Sequence, residues 1–223
     1  MDLNINITKN IEDISQFVAD SINLNLENKK NVLWLVSGGS AVLLEVLIAK
    51  KVKNNNINRL SITLVDERYG QVDHIDSNWL KLKDAGFSVE GAKIIPFLSG
   101  EDIKKTVVDI KDILKDELDK ADYKIGIFGI GIDGHTAGIL PNTKAVTEDD
   151  LICAYDTEIY RRITITPRVI KSLDEAIVYS MGKSKWPIIE KLKKDISITE
   201  MPAQILKKVP KLTIFTDYSR INK

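Results

Sequence analysis

Val32-Leu33-Trp34-Leu35-Val36-Ser37-Gly38-Gly39-Ser40-Ala41-Val42-Leu43-Leu44-Glu45-Val46-Leu47 passes from a short apolar run, through a Ser-Gly-Gly-Ser turn, into a second apolar run of helical period. Strand, glycine turn and helix in that order form one repeat of an α/β fold. The same alternation continues on both sides. Strands are expected around Leu60–Val65, Lys93–Phe97, Tyr123–Ile130, Leu151–Tyr155, Ile163–Thr166, Ala176–Ser180 and Leu212–Phe215 as well as Val32–Val36. Helices are expected near Thr8–Leu24, Ala41–Asn54, Ser77–Ala85, Glu101–Leu118, Lys185–Lys194 and Ala203–Lys208. Short β-branched runs separated by helical segments are the pattern of parallel strands joined by helical crossovers. The expectation is a mostly parallel sheet in a single α/β domain over residues 1–223.

Composition narrows the function. The chain is 43% hydrophobic and 29% charged, a globular balance. Lys plus Arg and Asp plus Glu each total 32, so no net field draws the protein to nucleic acid or to an anionic membrane. Any anion site must be local. The opening MDLNINITKN lacks the charged and apolar regions of a signal peptide, and no apolar run reaches membrane-spanning length, so a cytoplasmic location is expected. Cys153 is the only cysteine, His74 and His135 are the only histidines, and no HExxH occurs. Neither a disulfide nor a metal or other cofactor is expected.

The chemistry collects in four places. In the Ser37–Ser40 turn, glycines let the backbone approach an anion, serines add hydroxyl donors, and the following helix offers unpaired N–H groups. The alternative is a plain turn capped by Ser40. Next, Asp66-Glu67-Arg68 follows a strand, where parallel-sheet enzymes keep their polar groups, with Ser77-Asn78 opening a helix for which Ser77 is the expected cap. The third segment is Gly129-Ile-Gly131-Ile-Asp133-Gly134-His135-Thr136-Ala137-Gly138-Ile-Leu-Pro141. Its Gly129, Gly131 and Gly134 spell the dinucleotide pattern GxGxxG, yet Pro141 cuts short the helix that pattern requires. A loop presenting His135 as general base, with Asp133 to orient the ring, explains the residues better. Fourth, Arg161-Arg162 enters a strand and Lys183-Ser184-Lys185 leaves one, supplying cations suited to phosphate oxygens.

Other features read as structural. The charges of Lys104–Lys120 suit a solvated helix face; Trp34, Trp79 and Trp186 read as packing residues, Cys153 as a small buried hydrophobe, and His74 as adjacent to substrate at most.

Taken in order, SGGS, DER with SN, GIGIDGHTAGILP, RRITIT, MGKSK and MPAQIL resemble the 6-phosphogluconolactonases over about Val32 to Asp217. The resemblance implies a Rossmann-like three-layer sandwich shared with glucosamine-6-phosphate deaminases, and hydrolysis of 6-phosphogluconolactone in the oxidative pentose phosphate pathway. It makes His135 the base with Asp133 beside it, puts Asp66 and Arg68 in the site, and assigns phosphate to Ser37, Gly38, Gly39, Ser40, Arg162 and Lys185. The implied partner is a small sugar phosphate, bound by a monomer or weak homo-oligomer without nucleic acid or membrane. The chain departs from the family twice: Ala41-Val42 replaces the usual Thr-Pro after SGGS, and GKSK replaces GxGK, leaving open which late lysine serves. The deaminases carry a glutamate after their DGH loop, and Thr136–Pro141 supplies none, which ranks the deaminase second and a non-catalytic sugar-phosphate sensor third.

Overall fold

Three helix starts in this chain are set by short polar caps. Asn10 accepts a hydrogen bond from Glu12 N–H, Ser77 from Leu80 N–H, and Asp102 from Lys104 and Lys105 N–H. The Asn10 cap explains why the first helix begins at Ile11, not at Thr8 as its periodicity predicts. The computed structural model describes residues 3–218. In chain order they form β1 (Asn4–Ile7), α1 (Ile11–Glu27), β2 (Val32–Val36), α2 (Val42–Lys51), β3 (Leu60–Leu64), β4 (Asp66–Arg68), α3 (Asn78–Asp84), β5 (Lys93–Ile95), α4 (Ile103–Lys120), β6 (Tyr123–Phe128), β7 (Ile152–Asp156), β8 (Arg161–Ile165), α5 (Pro167–Lys171), β9 (Glu175–Ser180), α6 (Trp186–Leu192) and β10 (Lys211–Thr216).

Seven strands make one sheet in the order β1-β10-β9-β6-β2-β3-β5, and every neighbouring pair in it is parallel. Right-handed crossovers send α1, α2 and α3 to one face and α4 to the other; α1 packs on α2 and α2 on α3 accordingly. The core follows from this layering. All five residues of β2 are buried, and Trp34 stacks against Phe87 at 5.5 Å between ring centres. Helix α1 turns Ile14, Val18, Ile22 and Leu26, a four-residue repeat, onto the sheet.

The sequence expectations need correction in three places. Strands β7 and β8, expected within the parallel array, lie instead in a separate three-stranded sheet of order β4-β8-β7, in which β8 pairs antiparallel with both β4 and β7. Only Thr157–Tyr160 connects them, and so short a link closes a hairpin but cannot hold a crossover. The segment expected as a helix over Ala203–Lys208 is a 3₁₀ turn, Pro202–Lys208, bounded by Pro202 and Pro210. Finally, β1, the short β4 and α5 were not expected at all. Among the described residues no helix is long and apolar enough to cross a membrane.

Candidate active site

Strand β2 leads rightward to β3, whereas its neighbour β6 leads leftward to β9, so the chain diverges at the carboxyl ends of β2 and β6. Ligands bind in such crevices in open α/β sheets. A cleft of about 390 Å³ opens there, lined by Ser37, Gly38, Gly39, Ser40, Asp66, Arg68, Asn78, Gly129, Ile130, Gly131, His135, Ala137, Arg162 and Lys185.

After β2 the chain makes a 3₁₀ turn, Gly39–Ala41, before α2. Gly39 takes a left-handed φ of 62°, which glycine adopts without strain. The cap position of α2 is Ala41, with no side-chain cap, so Ser40 does not serve as the cap that the sequence allowed. The helix's first N–H groups thus lack a protein side chain to satisfy them, as an anion-binding end requires. Below the turn the fully buried Glu45 accepts Ser37 N–H at 2.8 Å. Burial pushes the Glu45 carboxyl well above the usual carboxylate range, against the lowering effect of that N–H.

The loop after β6 is a tight knot of backbone bonds. Ile130 bridges to Thr136, Gly131 N–H donates to His135 O at 2.9 Å, and Gly134, with φ 90°, donates to Gly131 O at 3.0 Å. Thr136 Oγ1 donates to Gly129 O, and Tyr155 Oη on β7 donates to Gly138 O at 2.6 Å. Within this frame His135 N–H donates to Asp133 Oδ1 at 3.1 Å, and His135 Nδ1 lies 2.6 Å from the same oxygen. Burial raises the Asp133 carboxyl, but the attraction of His135 and its two hydrogen bonds outweigh burial and hold it below the usual value. An ionised carboxylate only accepts, so Nδ1 carries a proton, and in the neutral ring the lone pair is on Nε2. No helix follows these glycines before the 3₁₀ turn Lys144–Val146, so the GxGxxG pattern lacks its dinucleotide geometry.

The cations come from the small sheet and from beyond β9. Arg162 Nη1 donates to Asp66 Oδ2 at 3.3 Å, and Arg68 Nη1 to Asp76 O at 2.9 Å. Burial raises the Asp66 carboxyl, with Arg68 and Arg162 only partly offsetting it. Of the two late lysines, Lys185 reaches the cleft and donates to Ile130 O at 2.7 Å; Lys183 is not among the lining residues.

Nine of the ten candidate residues thus line one cleft, and Asp133 touches it through His135. His74 lies outside, donating from Nε2 to Arg68 O at 2.8 Å. Ser77 is the expected helix cap, Cys153 and Trp34 are buried as expected, and Trp186 donates to Asp217. Sequence reasoning missed Asn78 and Glu67. Asn78 Nδ2 donates to Asp66 O at 2.9 Å while its side chain lies against Gly38, leaving no room for a Cβ there. Glu67, fully buried, accepts from Arg68 N–H, Asn78 N–H, Trp79 N–H and Ser77 Oγ, pinning β4 to the start of α3. The adjacency of DER and SN was the available signal.

A family model described as glucosamine-6-phosphate isomerases/6-phosphogluconolactonase matches residues 7–214. The chain belongs to this family. Family relatives include the 6-phosphogluconolactonase of Borreliella burgdorferi, 25% identical over 214 residues with 90% of each chain covered. That of Helicobacter pylori strain J99 is 23% identical over 222 residues, covering 95% of this chain and 96% of the relative. In three dimensions the fold superposes on Thermotoga maritima 6-phosphogluconolactonase with a TM-score of 0.83 at 20% identity, covering 96% of this chain and 98% of the other. A monomeric glucosamine-6-phosphate deaminase superposes with a TM-score of 0.78 at 18% identity, over 96% and 97% of the two chains. The family fold is therefore shared by both activities.

Proposed function

We propose that the cleft hydrolyses 6-phospho-D-glucono-1,5-lactone to 6-phospho-D-gluconate, the lactonase step of the oxidative pentose phosphate pathway, in the cytoplasm. One observation carries the reading: a histidine with its Nδ1 bound to a carboxylate at 2.6 Å shares a cleft with a Ser-Gly-Gly-Ser turn, two arginines and a lysine. His135 Nε2 takes a proton from water, whose oxygen attacks the lactone carbonyl carbon C1. The carbonyl π electrons move to oxygen, giving a tetrahedral oxyanion steadied by Arg68 or by loop N–H groups. On its collapse the bond from C1 to the ring oxygen breaks, and the imidazolium returns its proton to that oxygen. Asp133 keeps the ring oriented and favours the transient imidazolium. The Ser37–Ser40 turn, Arg162 and Lys185 hold the 6-phosphate.

Deamination of glucosamine 6-phosphate is the second reading, supported by the shared fold. Against it, Asp66 is the only carboxylate among the cleft-lining residues described, and it is buried beside Arg162. A coupled assay comparing the two substrates, corrected for spontaneous lactone hydrolysis, separates them. Lactone turnover without ammonia release is expected; ammonia release without lactone turnover reverses the assignment.

A further inference from the structure

Arg68 on β4 and Arg162 on β8 are direct partners in the antiparallel register. Like charges placed opposite each other on neighbouring strands repel. Asp66 offsets only part of this, through one bond to Arg162 at 3.3 Å. The Nε atoms of both arginines are buried, and neither has a hydrogen-bond partner among the described residues. Both arginines line the same cleft, so together they present a cationic wall suited to an anion.

The residue between them is Tyr160, at the end of the β7–β8 link. Its ring centre lies 5.5 Å from the Arg68 guanidinium carbon and 5.9 Å from that of Arg162. Its hydroxyl donates to Asp76 Oδ1 at 3.3 Å, and Asp76 O in turn accepts from Arg68. The backbone of Tyr160 is locked: its N–H donates to Thr157 Oγ1, and its carbonyl accepts from Thr157 N–H and Oγ1. The negative potential over an aromatic face attracts guanidinium groups, so one rigid ring attracts two cations that repel each other. Tyr160 itself does not line the cleft.

We infer that Tyr160 is a positioning residue that holds Arg68 and Arg162 as a paired guanidinium fork for the anionic oxygens of the substrate. The inference rests on the sugar-phosphate reading for the identity of the anion, but not for the fork itself.

The test uses the full chain with Tyr160→Leu, which removes the ring, and Tyr160→Phe, which removes only the hydroxyl. Calorimetric titration with inorganic phosphate and with 6-phosphogluconate should show binding weakened about tenfold by Tyr160→Leu and within about threefold of wild type for Tyr160→Phe. On the lactone, KM should rise more than kcat falls. A double-mutant cycle of Tyr160→Leu with Arg68→Met, read as urea midpoints without ligand, should show coupling between the two sites. Unchanged affinity in Tyr160→Leu, an equal loss in Tyr160→Phe, or an additive cycle overturns the fork. If the wild-type protein binds neither ligand, the lactonase reading fails instead, and the cycle still decides the role of Tyr160.

Discussion

A Cβ built on Gly131 would fall closer than 3 Å to His135 Nδ1 and Cε1 and to Asp133 Oδ1, the atoms that form the base pair of the site. Gly131 does not use a left-handed φ, so alanine at this position brings no backbone strain. Ordinary contact begins near 3.4 Å, so the two side chains must retreat by about 1 Å. Both have room to do so, because Asp133 is exposed and His135 half-buried. Gly131→Ala should therefore fold with a melting temperature close to wild type and lose turnover by about 10²-fold, the usual cost of displacing a catalytic group by that distance. The assay follows 6-phosphogluconate formation, with the uncatalysed hydrolysis subtracted. If the glycine acts only by leaving space for the Asp133–His135 pair, then Gly131→Ala in a His135→Asn background should cost almost nothing further. Near-wild-type turnover in Gly131→Ala, or a full additional loss in the double variant, refutes the reasoning.

His135→Asn keeps a polar group of similar size and should preserve folding and 6-phosphogluconate binding while lowering turnover by roughly 10²–10⁴-fold; undiminished turnover would move the base elsewhere, with Asp66 next. Unphosphorylated gluconolactone should be a poor substrate, and Arg162→Ala should raise KM for the phosphorylated lactone more than Lys183→Ala, because Lys183 stands outside the cleft. Equal catalytic efficiency on both lactones would remove the phosphate from the argument. Glu45 has a folded-state pKa above its unfolded one, so its contribution to stability is complete below about pH 4 and is lost as pH rises through the raised value. Glu45→Gln should accordingly lose less urea resistance than wild type between acid and alkaline buffers, and parallel pH profiles for the two proteins would contradict the burial argument.

The parts of the site legible in the sequence are those whose geometry is local. Asp133 and His135 lie two residues apart in a glycine loop, and the Ser37–Ser40 turn is continuous with its helix, so periodicity and turn chemistry were enough to find both. Arg162 and Lys185 stood out only as members of two cationic pairs near strand ends, and the motif resemblance was needed to choose them, since such a cation looks like any surface charge until the sheet is assembled. The pairing of Arg68 with Arg162 was not legible, because it depends on β4 joining a second sheet with strands far along the chain. Glu45 was hidden for a different reason: in the apolar run Val42–Leu47 it reads as one turn of helix, and its bond to Ser37 exists only once α2 folds back beneath the turn. The short gap Asp156–Arg162 between the expected strands Leu151–Tyr155 and Ile163–Thr166 was a visible clue to the β7–β8 hairpin, since a crossover needs about a dozen residues or more.

The order of strands in the large sheet also bears on how the protein is made. The first described strand, β1, has β10 as its only neighbour in the sheet, and Asn4 and Thr213, which pair there, stand 209 positions apart. At ribosomal rates of about 5–20 residues per second, the amino-terminal strand waits some 10–40 s for its partner to be synthesised. For the last part of that interval, from the synthesis of β9 to that of β10, about 2–6 s at the same rate, the outer edge of β9 stands open to any extended chain that passes. Demand for chaperone protection in a growing cell should therefore fall on nascent chains that expose β9 but still lack β10.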